Sequence, residues 1–159
     1  QDQKSIPLYA CVRVYDVFNI DPVKETFTVR MRIYFTWELP GLSEKLGEEI
    51  ATKVRARGGQ YSFGADEVAS KIELPSEKAD FRIYNQVEAS LSDTEVEVLD
   101  LHAGAVLQNF AGTWVVRVQQ ELDTFPFDAQ KLTMQLRLCG MSTSFDLSVH
   151  TMEFYRDVF

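Results

Sequence analysis

The chain has 159 residues, 45% apolar and 25% charged, close to globular averages, which excludes wholesale disorder and argues for a single domain over 1–159. Acidic residues outnumber basic ones 24 to 16, a net charge of -8. Both nucleic acid and anionic lipid need a positive field, so neither is an expected partner.

No apolar run reaches the roughly 18 residues of a membrane helix, so contact with a membrane is expected only through sequence outside this stretch or through a partner. The chain starts at Gln1 rather than Met, the pattern of a processed or trimmed product. It carries no Asn-x-Ser/Thr acceptor and no CxxC pair, and its two cysteines, Cys11 and Cys139, lie far apart. A structural metal site is not expected, and the two thiols are expected to stay unpaired as small core residues, with one disulfide between them as the alternative.

Strand character opens the chain. Leu8, Ala10, Val12 and Val14 alternate with Tyr9, Cys11, Arg13 and Tyr15. From Phe27 to Leu39 the alternation is strict: Phe27, Val29, Met31, Ile33, Phe35, Trp37 and Leu39 on one side, Thr28, Arg30, Arg32, Tyr34, Thr36 and Glu38 on the other. Period two over thirteen residues predicts a strand with one face on a core and Arg30 and Arg32 outward. Asn19 to Glu25 holds the turn formers between the two runs, so strand, turn, strand reads as a hairpin.

The period then changes to about four. Leu42, Leu46, Ile50 and Val54 form a narrow apolar stripe among charged residues, which predicts one amphipathic helix over Ser43–Arg57, started by Pro40-Gly41 and stopped by Gly58-Gly59. Gln60 to Lys71 reads as loop or a short helical turn. From Ile72 strand character returns, with Phe81, Ile83 and Asn85 alternating, then Val96 and Val98. Ala103-Gly104 marks a turn between Glu95–Leu101 and Ala105–Phe110. A further strand is expected over Thr113–Leu122, with Trp114, Val116, Val118 and Leu122 on one side. Leu132, Met134, Leu136 and Leu138 alternate in another, and Phe145, Leu147 and Val149 close the series. Seven or more short strands with one helix predict an all-β fold, an antiparallel β-sandwich.

The signs of catalysis are sparse. His102 and His150 stand alone, with no HExxH, no Ser/His/Asp pattern and no phosphate-cradling glycine loop. Glu48-Glu49 and Glu95/Glu97 read as solvated faces, not as an acid and a base. A hydrolase on a sandwich is the third-ranked reading. No enzyme activity, cofactor or metal is expected.

The informative segment is Leu122 to Leu132, a connection between strands that carries Phe125-Pro126-Phe127-Asp128-Ala129-Gln130. Pro126 fixes φ and biases Phe125 toward extended backbone, so two phenyl rings and the Asp128 carboxylate sit on a stiff loop. The bland reading is an ordinary hydrophobic turn.

The Phe-Pro-Phe-Asp-x-Gln string, with a strand on each side, resembles the signature loop of the pentameric ligand-gated ion channels, the Cys-loop receptor superfamily. Asn19-Ile20-Asp21, the Thr26-Phe27-Thr28-Val29 strand and Trp37 are similar to the first two strands of that family's extracellular domain. Leu74-Pro75 falls where the family has Trp-x-Pro-Asp, and Gly104 falls where it has a turn glycine. The likeness covers roughly Leu8 to Val149. Four departures stand out. Val118 and Leu132 occupy the positions of the bracketing disulfide, as in prokaryotic members. Leu74-Pro75-Ser76 lacks the Trp and Asp. Gly140 to Ser144 carries no aromatic residue. Few residues follow Asp128.

The resemblance implies an immunoglobulin-like sandwich of the channel-ectodomain type, shortened at its C-terminus. It implies a non-catalytic ligand-binding or sensing role on the extracellular or periplasmic face of a membrane, with other protein subunits in a homo- or hetero-pentamer. A small-molecule ligand is implied but not identified. Tyr61, Phe63, Phe81 and Tyr84 are the aromatic candidates for its pocket, with core or rim packing as the alternative for each. Phe125, Pro126, Phe127, Asp128 and Gln130 would form the coupling or contact loop. The other family-based expectation is a pore-less relative that serves as an interaction or assembly subunit of a larger complex.

Overall fold

The computed structural model describes residues 5–75, 81–83, 85–92, 94–117, 136–138 and 145–154. Its strands are β1 (Ile6–Asp21), β2 (Thr26–Glu38), β3 (Tyr61–Gly64), β4 (Phe81–Ile83), β5 (Gln86–Leu91), β6 (Glu95–Asp100), β7 (Ala105–Arg117), β8 (Leu136–Leu138) and β9 (Phe145–Phe154). Three short helices are α1 (Leu42–Leu46), α2 (Glu48–Ala56) and α3 (Ala65–Val68). The fold is all-β and sandwich-like. A seven-stranded sheet runs β3-β6-β7-β2-β1-β9, with β5 also on β7, and a small second sheet pairs β4 with β8. Ile83 of β4 is fully buried in the same apolar cluster as the large sheet's inner face, so both sheets share one core.

The period-two pattern of β2 decides its facing. Phe27, Val29, Met31, Ile33, Phe35 and Trp37 are each at most 1% exposed, while Arg30 is exposed and Arg32 half-buried. Each such side chain contributes roughly 1.5–3 kcal/mol by leaving water, and a one-residue slip would forfeit the whole set. Residues 105–117, expected as two strands, form the single strand β7. It pairs with β2 along its full length, from Glu38↔Ala105 to Thr26↔Arg117. Its other edge holds β6 opposite its first half and β5 opposite its second.

β1 departs from simple alternation. Val14 pairs with Met31 but Asp16 pairs with Arg30, so Tyr15 is an extra residue in the ladder. Continued alternation would drive Asp16 into the core. The bulge instead sets Asp16 opposite Arg30 and turns Val17 toward the core, where it packs at the margin. The expected hairpin follows. Asp21 Oδ1 accepts hydrogen bonds from the Val23 and Lys24 amides at 3.0 Å each, closing the turn at 22–25. One pairing is not antiparallel: β9 lies parallel to β1 from Ile6↔Phe145 to Val14↔Phe154.

The single helix expected over Ser43–Arg57 is corrected to two. Gly47 has φ 87 and ψ 162, a conformation a helix cannot contain, and separates α1 from α2. The apolar stripe turns accordingly: Leu42, Leu46, Ala51 and Val54 are buried, whereas Ile50 is only half-buried. Gly58, at φ 75, ends α2 in a Schellman motif, with Gly59 N–H donating to Val54 O (3.0 Å) and Gly58 N–H to Arg55 O (3.1 Å). The segment 60–71, expected as loop or a short helical turn, contains the short helix α3 and, beyond that expectation, the edge strand β3, which pairs Ser62 with Glu97 and Phe63 with Val96.

Gly104 closes the β6–β7 turn at φ 79, and its carbonyl accepts from the Leu39 N–H at 2.9 Å. A Cβ at this position would collide with the Leu39 carbonyl oxygen, so the backbones approach closer than any other residue permits. This contact ties the turn to the start of the helices.

Candidate functional site

A connected polar group lies on the outward face of β1, β2 and β7. Cross-strand register places Cys11 opposite Tyr34, Arg13 opposite Arg32, and Tyr34 opposite Asn109. Arg32 Nη1 donates to Asn109 Oδ1 at 2.6 Å, a short bond that fixes one guanidinium on the sheet. The Arg13 guanidinium lies 5.5 Å from the centre of the Tyr34 ring, within cation–π range. The bulge residue Tyr15 is hydrogen-bonded to Tyr34. Tyr34 is held above its ordinary value by burial first, then by the neighbouring Tyr15 and the bond between their hydroxyls, against the opposing pull of Arg13 and Arg32. Tyr34 is therefore a neutral hydroxyl at physiological pH. Arg13 and Arg32 are like charges directly opposite one another, a pairing that is unfavourable unless an aromatic face, an amide or an anion offsets it. Cys11, at the rim of this group, is a free, half-buried thiol.

A second feature is the hairpin tip. Phe18, Ile20 and Val23 are 36%, 53% and 93% exposed. Val87 on β5 is exposed toward the same end of the sheet, since Gln86 pairs with Val116. β7 also ends there, at Arg117, opposite Thr26.

Of the sequence-derived candidates, Tyr61 is half-buried on the edge strand β3 and borders a cavity of about 450 Å³ with Arg57, Gln60, Ser62 and Glu97. Phe63 is 3% exposed in the core, with its ring 4.4 Å from that of Tyr61. Phe81 opens β4 opposite Leu138. Tyr84, the loop residues Phe125, Pro126, Phe127, Asp128 and Gln130, and Cys139 lie outside the described residues. The structure does not bring Tyr61 to the polar group on β1, β2 and β7, since β6 lies between β3 and β7 and Tyr61 pairs with the buried Val98, on the other face.

His102 borders another cavity, of about 420 Å³, near Ser43, Arg55 and Asp100. Two of these are already engaged: Arg55 pairs with Glu48 at 3.2 Å, and Asp100 Oδ1 accepts from the Ala103 N–H at 3.0 Å. Among the described residues no three His, Cys, Asp or Glu side chains gather to hold a metal ion, and no helix is long and apolar enough to cross a membrane.

Sequence reasoning missed Arg13, Tyr15, Arg32, Tyr34 and Asn109 because their meeting depends on register across three strands. The visible hint was that the outward sides of the first two strands both carry arginine and tyrosine, Arg13 and Tyr15 on one and Arg32 and Tyr34 on the other. No protein-family model matches this chain, and no curated protein matches it. The likeness to pentameric channels therefore rests on the order of residues and motifs described above.

Proposed function

We propose that the chain is a non-catalytic, ligand-sensing ectodomain of the pentameric-channel type. A small molecule binds on the outward face of β1, β2 and β7, and other protein subunits meet the hairpin-tip end. The observation that carries this reading is convergence at one end of the sheet. β7 ends at Arg117, on the same end where Phe18, Ile20 and Val23 stand exposed, and the Phe125-Pro126-Phe127-Asp128-x-Gln130 string follows it in the sequence. Apolar side chains gathered at a tip are what an interface core requires. The outward face supports the ligand role: oriented guanidinium groups can receive an acidic group through charge-assisted hydrogen bonds, and phenol rings beside them offer stacking surface.

The second reading, a pore-less assembly subunit, keeps the tip contact and dispenses with the ligand. Titrating the isotopically labelled chain with small organic acids and amines, while following the Arg32, Tyr34 and Asn109 resonances, separates the two. Saturable shifts abolished by Arg32→Gln support the sensor. A silent face, together with an oligomer by native mass spectrometry that Val23→Asp dissociates, supports the assembly subunit. A chain that is silent and monomeric at all concentrations would sink both.

A further inference from the structure

We infer that the free edge of β5 receives an extended segment of a partner protein, one that alternates apolar with basic residues and adds to the sheet as a further strand. The inference is independent of the ligand and of the tip contact proposed above.

β6 and β5 follow one another along a single edge of β7, β6 opposite residues 105–109 and β5 opposite residues 112–116. The next row of the sheet is half filled. β3 covers β6 and stops at Gly64, opposite Glu95, where the chain turns away into α3 and Ala65 N–H donates to Thr94 O at 3.1 Å. Beside β5, among the described residues, no strand takes up that row.

The peptide groups along this edge are open in a definite pattern. Ser92 N–H donates to Ala111 O at 2.8 Å, so Ser92 and, by alternation, Ser90 turn their peptide groups to β7. Ala89 and Leu91 turn theirs to the open side, where no described strand or turn meets them. Natural edges are blunted by lysine, proline or an inward charge. β5 contains neither Lys nor Pro, and its one charged residue, Glu88, is opposite Val115 and faces outward.

Side-chain facing sets the chemistry of the guest. Ala89 is opposite the buried Trp114 and Leu91 opposite Gly112, so both lie on the core side of the sheet, yet both are exposed, Leu91 by 56%. A Cβ on Gly112 would strike the Trp114 ring at 2.7 Å and Leu91 Cδ2 at 2.8 Å, so the indole and the leucine converge there and Leu91 forms an uncovered margin of the core. A guest strand at the ordinary spacing of about 4.8 Å would lay alternate side chains against Ala89 and Leu91, and apolar ones would complete that margin. Its other side chains would lie outward, beside Glu88 and Ser90. β5 and β6 carry Glu88, Glu95, Glu97 and Asp100 and no basic residue, and the chain as a whole has a net charge of -8. Like charges across strands are unfavourable, so the outward positions call for lysine or arginine, and a second copy of this acidic chain is the poorer match.

The test is amide NMR with hydrogen exchange on the labelled chain, with a capped heptapeptide of alternating lysine and valine as the probe. In the free chain the Ala89 and Leu91 amides should exchange at least about tenfold faster than those of Ser90 and Ser92. The peptide should give saturable shifts along β5 and slow Ala89 and Leu91 by about tenfold or more. In an antiparallel guest, the orientation β3 takes on β6, the valine amides face β5. N-methylation of the valines should therefore abolish binding, and N-methylation of the lysines should not. A glutamate–valine heptapeptide should bind at least about fivefold more weakly, and Glu88→Lys should narrow that preference by about two- to fivefold. The inference is overturned if Ala89 and Leu91 are already protected in the free chain, or if the lysine peptide leaves β5 unshifted. It is equally overturned if the valine-methylated or the glutamate peptide binds as well, or if protection appears with protein concentration alone, which would make a second copy the occupant. Val23→Asp should bind the peptide like the parent chain, so the edge and the tip contact fail separately.

Discussion

At Gly104 the covalent geometry itself is the constraint. A side chain there would require left-handed backbone from an L-residue and would also strike the Leu39 carbonyl. Gly104→Ala should therefore lower the unfolding free energy by at least about 2 kcal/mol, read from urea denaturation. Gly58 has the same backbone sign but open space around it, so Gly58→Ala should cost only about 1–2 kcal/mol. Tyr34 makes a different kind of prediction. Its folded-state value is raised, so the neutral hydroxyl's stabilising contribution is complete below about pH 10, the ordinary tyrosine value, and is lost as pH rises through the folded value. An alkaline titration followed by phenolate absorbance should show a late-ionising tyrosine that disappears in Tyr34→Phe. A titration unchanged by that substitution would contradict the burial and Tyr15 bond that hold it. Residues such as Phe27 and Ile33 were legible in sequence because alternation alone fixes their facing. Tyr34 was legible as an outward residue only. Its partners come from positions 13, 15 and 109, and no local pattern encodes that meeting.

Among the elements, β1 carries the most specific device. The bulge at Tyr15 restores the inward set after Val14, so the strand tolerates an acidic residue in what would otherwise be a core position. Deleting Tyr15 should leave Val14 and Val17 on the core side with regular pairing and cost little beyond the contact with Tyr34. Deleting Arg13 should shift Leu8, Ala10 and Val12 against Val14 and destabilise the domain severely, since four inward side chains can no longer share one face. Comparing the thermal unfolding of the two deletions checks this directly. The stripe of Leu42, Leu46, Ile50 and Val54 is compatible with one helix because its residues are spaced by four. The break was foreshadowed only by Gly47, whose residue type permits but does not require it. β3 has no mark in the sequence for another reason: four residues carry too little alternation to distinguish a strand from a loop, and its pairing to β6 is what defines it.

Over the whole molecule, charge and apolar surface are unevenly distributed. The chain carries a net charge of -8, yet the hairpin tip presents Phe18, Ile20 and Val23 to solvent. Ile20→Asp and Val23→Asp should change stability by no more than about 0.5 kcal/mol, because neither side chain contributes to the core. If the tip is an interface, the same variants should abolish association in sedimentation equilibrium. Retained association would move the contact elsewhere. The all-β character and the sandwich-like core follow from the repeated period of two. The parallel placement of β9 beside β1 does not, because two strands separated by most of the chain carry no sequence mark of their mutual direction.

That parallel placement has a practical consequence for handling the protein. β1 begins at Ile6, on the helix side of the sheet, and β9 runs in the same sense, reaching Phe154 opposite Val14 and heading toward the tip. A tether attached ahead of Ile6 therefore leaves from one pole of the domain, and a tether attached after Phe154 leaves in the direction of the other. Immobilised on a sensor chip through a tag joined directly ahead of Ile6, the domain would hold its apolar tip outward into the flow cell, whereas a tag joined directly after Phe154 would turn the tip toward the chip. A tip-binding protein should give the larger response in the first orientation, and a reversed preference would place the contact at the helix pole.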